Sequence, residues 1–208
     1  MKPSSHFTTI STPLPSEGLG EASIGIFGGS FNPIHNGHIA LAKAFLEKEN
    51  LNEVWFFVSP QNPFKVNQQL FADHLRLELV RKAIADNPHF RASDYEFQLP
   101  KPSYTWNTLQ HLSHDYPTHR FTLLVGGDNW AAFDRWYHAE DILSNYKIVV
   151  YPRRGQEIDK STLPTNVSLL QTPLIDVSST DVRQRVEQGE DISKLVPEEI
   201  LNDIQRLY

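Results

Sequence analysis

Two histidines, His35 and His38, stand three residues apart behind the adjacent Gly28 and Gly29 in GGSFNPIHNGH, residues 28–38. Glycines that take positive φ and carry no Cβ let a phosphate approach the backbone. The start of a following helix adds N–H groups and a positive dipole end. Two histidines on the first turn of such a helix share a face and can grip one anion. The combination describes a cradle for nucleotide phosphates. Taken singly, each feature also has an ordinary reading: a Gly-Gly turn, a stiffening Pro33, histidines that cap a surface helix. The other chemistry open to the pair is metal binding, but no helical Glu or Asp stands beside it, which makes a poor zinc site. Neither G-x-x-x-x-G-K-[ST] nor G-x-G-x-x-G occurs in the chain, so P-loop and dinucleotide-dehydrogenase chemistry lose their main support.

A second polar group is VSSTDVRQR, residues 177–185. Ser178, Ser179 and Thr180 supply hydroxyls and a helix N-cap, and Arg183 follows three residues into the helix, in reach of the same polyphosphate. Read without the first motif, this is an ordinary capped helix with a solvated arginine.

The elements that must hold these residues are legible as alternating patterns. Residues 23–27, 54–58, 121–125 and 147–151 are short, continuous apolar runs, as strands buried on both faces should be. Residues 38–50, 73–86 and 103–116 repeat apolar side chains at helical spacing, and 180–188 and 197–207 add two more helices separated by Gly189. This alternation predicts an α/β fold: a Rossmann-like, doubly wound parallel sheet with helices on both faces. The glycine motif falls between the first strand and the first helix, at the carboxyl end of the sheet, where open α/β folds bind ligands.

Composition sets the outer bounds. The 208 residues are 39% hydrophobic and 21% charged, enough to bury one full core. Residues 1–22, rich in Ser, Thr, Pro and Gly, read as a flexible leader, and 23–208 as a single domain. A net charge of −6 argues against a nucleic-acid-tracking surface. No apolar run approaches the roughly 18–20 residues of a membrane span. The chain has no cysteine, which excludes disulfides and thiolate chemistry and fits an intracellular, cytoplasmic protein.

The first motif resembles the G-G-x-F-D-P-x-H-x-G-H signature of the nucleotidyltransferase superfamily, and VSSTDVRQR is similar to its I-S-S-T-x-I-R. PSYTWNTL (102–109), GGDNWAAFDRWYHAEDIL (126–143) and YPRRG (151–155) resemble, in order and spacing, the bacterial nicotinate mononucleotide adenylyltransferases. The likeness runs from about Ile24 to the last helix. It implies the nucleotidyltransferase fold and transfer of the adenylyl group of ATP to nicotinate mononucleotide, with Mg²⁺ accompanying ATP.

By that resemblance Gly28, Gly29, Ser30, Phe31, His35, His38, Gly126, Asp128, Ser179, Thr180 and Arg183 serve ATP, with His35, His38 and Arg183 as the catalytic charge-stabilising groups. Asp128 is assigned to ribose hydroxyls or to the metal's water shell. Lys65, Tyr104, Thr105, Trp136 and Tyr137 form the mononucleotide pocket, with Trp136 stacked on the pyridine ring. Metal ligands from protein side chains are not assigned, and Arg153 and Arg154 belong either to ATP or to the surface. The sequence departs from the family pattern at Ser30 (usually Thr), Asn32 (usually Asp), Asn107 (often Asp) and in NPFK (62–65), which lacks the usual His before the basic residue. Three rival functions stay open: nicotinamide mononucleotide as acceptor, phosphopantetheine as acceptor, and a non-catalytic nucleotide sensor.

Overall fold

Apolar runs without alternation must bury both faces, and the four of them form the centre of one sheet in a computed structural model that describes residues 21–60, 70–152, 158–172 and 177–207. The strands are β1 (Ala22–Gly29), β2 (Glu53–Val58), β3 (Phe90–Ser93), β4 (His119–Gly126), β5 (Lys147–Tyr151) and β6 (Val167–Leu169). Their order is β3-β2-β1-β4-β5-β6, and every neighbouring pair runs parallel. This is the doubly wound arrangement expected. The short edge strands β3 and β6 carry no apolar run long enough to read from sequence.

The helices are α1 (Asn36–Lys48), α2 (Asp73–Ala83), α3 (Thr105–Asp115), α4 (Gly127–Trp130), α5 (Ala139–Asn145), α6 (Ser179–Glu187) and α7 (Glu198–Leu207). They cover both faces. Val54, Phe56, Leu124 and Val149 point toward Phe45 of α1, Leu77 and Val80 of α2, Val182 of α6 and Ile204 of α7. The alternate residues Trp55, Phe57, Leu123 and Ile148 meet Leu109 and Leu112 of α3 and Ile142 of α5. Gly25 sets the distance of α1 from the sheet: a Cβ there would lie 2.4 Å from Phe45 Cε1 and 2.7 Å from Leu51 Cδ1.

Strand order reverses direction between β1 and β4, and their carboxyl ends, Gly28–Gly29 and Gly126, flank the crevice that such a switch point creates. The loops at this end are locked by Arg76 of α2, whose side chain is fully buried. Its guanidinium donates to the carbonyls of Ser30 (2.5 Å), Phe71 (2.9 Å) and Ser59 (3.1 Å) and pairs with Asp73 at 2.7 Å. Burial pulls the guanidinium pKa down, and the Asp73 carboxylate opposes that shift.

β1 opens at Ala22, one residue ahead of the expected start of the domain, and residues 1–20 of the expected leader lie outside the described residues. Among the described residues, no helix is long and apolar enough to cross a membrane.

Candidate active site

One cleft opens over the carboxyl ends of β1 and β4. It brings together Gly28, Gly29, Ser30, Phe31, His35, His38, Gly126, Asp128, Ser179, Thr180 and Arg183 with Tyr104, Thr105, Trp136 and Tyr137. Of the residues singled out in the sequence for a site role, Lys65 lies outside the described residues, as do Arg153 and Arg154.

The glycine loop works differently from expectation. Gly28 and Gly29 are the last residues of β1, and Gly189 is the one described glycine with positive φ. The left-handed position is taken by Phe31, at φ 44°. Its ring folds back so closely that a Cβ on Gly29 would meet it at 3.0 Å, whereas Gly28 has open space around it in the cleft. The two glycines therefore have separate tasks: Gly29 admits the Phe31 ring, and Gly28 leaves the cleft floor bare.

Asn32, where the family usually has Asp, is buried and accepts the Phe71 N–H at Oδ1, 3.0 Å. An amide oxygen does this as well as a carboxylate, so the substitution keeps the bond that holds the loop.

His35 is the N-cap of α1 and is 5% exposed. Its N–H donates to His38 Nδ1 at 3.3 Å, which assigns the His38 ring proton to Nε2. The two imidazoles stack at 3.7 Å, and His38 lies edge-on to Phe31 at 5.0 Å. Free helix-start N–H groups were expected here, but that of His35 goes to His38 and that of Asn36 to the Leu195 carbonyl at 2.8 Å. Both imidazoles line the cleft.

α6 is stapled to the same loop. Ser178 caps it in a reciprocal box with Asp181, Ser179 Oγ donates to the Pro33 carbonyl (2.9 Å), and Arg183 donates to the Asn32 carbonyl (2.8 Å). Arg183 also reaches Thr180 Oγ1 at 3.1 Å. Two segments about 150 positions apart in sequence thus share one cation at the cleft. At the end of β4, Gly126 makes room: a Cβ would lie 2.7 Å from Asp128 Oδ1 and 3.0 Å from the Tyr151 hydroxyl.

The other half of the cleft is built on α3. Tyr104 is its N-cap and Thr105 its first residue, with no capping side chain and no acid in the first turn, a condition that Asn107 preserves. Tyr137 is half exposed at the mouth and packs on Tyr104 at 5.0 Å. Trp136 packs on Phe133 at 5.1 Å, and its Nε1 is buried without a hydrogen-bond partner among the described residues. The aromatic pair is therefore divided, one ring rooted in the core and one at the rim.

Sequence reasoning missed Ser59, Glu96, Thr108, Arg135 and Tyr151, which also line the cleft. Glu96 offered one signal, an acid flanked by aromatics in YEF just upstream of PSYT. Its carboxyl pKa is raised by burial, against the hydrogen bond from Thr108.

A parallel sheet with a glycine loop, paired histidines and an arginine-bearing helix at its switch point defines a nucleotide-binding α/β protein, and the chain belongs to the cytidylyltransferase-like family, whose model matches residues 26–185. It is similar to a protein of Bacteroides fragilis named probable nicotinate-nucleotide adenylyltransferase, with 52% identity over 84% of this chain and 87% of that one. A protein of the same name from Cytophaga hutchinsonii is 48% identical over 85% of this chain and 92% of its own. The fold also matches Plasmodium falciparum nicotinic acid mononucleotide adenylyltransferase complexed with NaAD, at TM-score 0.77 and 20% identity, covering 89% of this chain and 96% of that chain.

Proposed function

We propose that this chain is a nicotinate-nucleotide adenylyltransferase that joins ATP and nicotinate mononucleotide into nicotinate adenine dinucleotide and pyrophosphate, a step of NAD biosynthesis. The observation that carries the site assignment is the single cleft at the switch point, which holds the His35, His38 and Arg183 group and the Tyr104, Thr105, Trp136 and Tyr137 group together. One site then receives both phosphorylated substrates.

A phosphate oxygen of the mononucleotide attacks the α-phosphorus of ATP in line. The bond to the bridging oxygen breaks, and its electron pair leaves on pyrophosphate. A phosphate is already ionised near neutral pH, so the step asks for alignment and charge neutralisation more than for a base. His38 Nε2–H, His35 and Arg183 are preorganised donors for the developing charge. Bound together with ATP, Mg²⁺ would help to neutralise the phosphate charge while keeping much of its water shell. Asp128 stands at the cleft for ribose hydroxyls or for that water shell. We assign Lys65 to the mononucleotide phosphate by its place in the family pattern.

The uncapped first turn of α3 suits the nicotinate carboxylate, which accepts N–H groups and is favoured by the positive helix end. We read residues 23–208 as one catalytic domain, and the enzyme as cytoplasmic. Pyrophosphate release with ATP and, in turn, nicotinate mononucleotide, nicotinamide mononucleotide and phosphopantetheine tests the assignment. The expected result is release with the first in clear preference, and equal or greater kcat/KM with either of the others overturns it.

A further inference from the structure

Glu96 is a buried acid in the cleft that the proposed reaction leaves without a task. It sits on the short 3₁₀ turn Tyr95–Gln98 that follows β3, buried yet lining the cleft. Thr108 Oγ1, one turn into α3, donates to Glu96 Oε1 at 3.0 Å, and the same hydroxyl lies 3.4 Å from the carbonyl of Tyr104, the N-cap of α3. A carboxyl is expensive to bury, and an aliphatic side chain would fill this space at lower cost. What the carboxyl supplies is an acceptor oxygen that ties the turn after β3 to the first turns of α3.

We propose that Glu96 is a positioning residue of the mononucleotide pocket: through Thr108 it fixes the start of α3, and so Tyr104 and Thr105, relative to the turn that follows β3. Its reach is selective. The histidine pair and Arg183 are held from the glycine loop and α6, by bonds that do not involve Glu96. Loosening α3 therefore weakens the hold on the mononucleotide and leaves ATP and the transfer step nearly untouched. The acceptor oxygen, not the negative charge, is the required feature, because the group bonding it, Thr108 Oγ1–H, is a neutral hydroxyl.

The proposal rests on adenylyl transfer to nicotinate mononucleotide, and its test separates the two. Initial rates of pyrophosphate release are measured for the wild type, Glu96→Ala, Glu96→Gln and Thr108→Val with each substrate varied, alongside calorimetric binding of nicotinate mononucleotide and thermal unfolding. Glu96→Ala and Thr108→Val are expected to raise KM and Kd for the mononucleotide about tenfold, the size of one lost buried hydrogen bond, with KM for ATP and kcat within about twofold of wild type. Glu96→Gln keeps an acceptor oxygen and is expected to restore most of the loss. Should Glu96→Ala fail to fold, Thr108→Val and Glu96→Gln carry the comparison. Unchanged mononucleotide affinity in Thr108→Val overturns the proposal, and so does a fall in kcat shared by Glu96→Gln with KM unchanged, which would place the charge in the chemistry. A wild type that releases no pyrophosphate would instead sink the reaction assignment, while the binding series still decides the role of Glu96.

Discussion

The His38 ring is held by the His35 N–H at Nδ1, by the stacked His35 imidazole and by the edge of Phe31, so its Nε2–H needs little reorganisation to meet a phosphate oxygen. Removing one such preformed donor typically costs about 10² to 10³ in turnover, and that is the loss expected for His38→Ala, with the unfolding midpoint nearly unchanged. A folded variant that turns over at close to the wild-type rate would make the histidine structural. The pair was legible in the sequence because its chemistry is local: histidines three apart behind glycines can be judged without knowing the fold. Glu96 was not, since its partner Thr108 is brought to it by a helix twelve positions further along the chain. Burial also gives Glu96 a pH signature. With its folded pKa raised above the ordinary 4.5, the native state holds the proton more tightly than the unfolded chain, so the stability tied to this group is full at low pH. It declines as pH rises through 4.5 toward the raised value. Urea unfolding across that window should show the wild type losing stability with pH relative to Glu96→Gln, and parallel curves would contradict the raised pKa.

Among the elements, β1 and α1 show how a glycine can be read wrongly by rule. Sequence logic gives Gly28 and Gly29 turn conformations, yet both stay in the strand, and the left-handed residue is Phe31, whose ring needs the space that Gly29 leaves. Gly25 attracts no attention as a lone glycine in an apolar run, but it decides how closely α1 packs. Gly25→Ala would force Phe45 and Leu51 outward from contacts at 2.4 and 2.7 Å, an overpacking expected to cost about 1–3 kcal/mol in denaturant unfolding. Stability equal to wild type would mean that α1 shifts freely. The four central strands and five of the helices were readable because burial on two faces or one leaves a period in the sequence. β3 and β6 were not, being strands of four and three residues whose place is set by the neighbours they pair with. The bond from Arg183 to Asn32 is likewise invisible locally, because only the crossover topology brings α6 back to the first loop.

Across the whole molecule, a chain of net charge −6 must receive two anionic substrates, and it does so by concentrating donors at the point where the sheet changes direction. His35, His38 and Arg183 gather around the glycine loop, while the far wall is the first turn of α3. That division bears on the choice between nicotinate and nicotinamide mononucleotides, which differ only in carboxylate against carboxamide. A carboxylate has acceptors alone, so it can use every N–H of an uncapped helix start. A carboxamide must turn one NH₂ toward donors that cannot accept it. The positive end of α3 adds a preference for the charged form, and no acid in that turn opposes it. Hydrogen bonds to charged groups contribute about 1.5–3 kcal/mol, so kcat/KM for the acid should exceed that for the amide by about tenfold or more. Trp136 touches the ring rather than the substituent in this scheme, so Trp136→Ala should weaken both mononucleotides together and leave their ratio nearly constant. Parallel kinetics with the two acceptors measure both quantities: a ratio near one in the wild type removes α3 as the source of selectivity, and a ratio that collapses in Trp136→Ala moves that source to the indole.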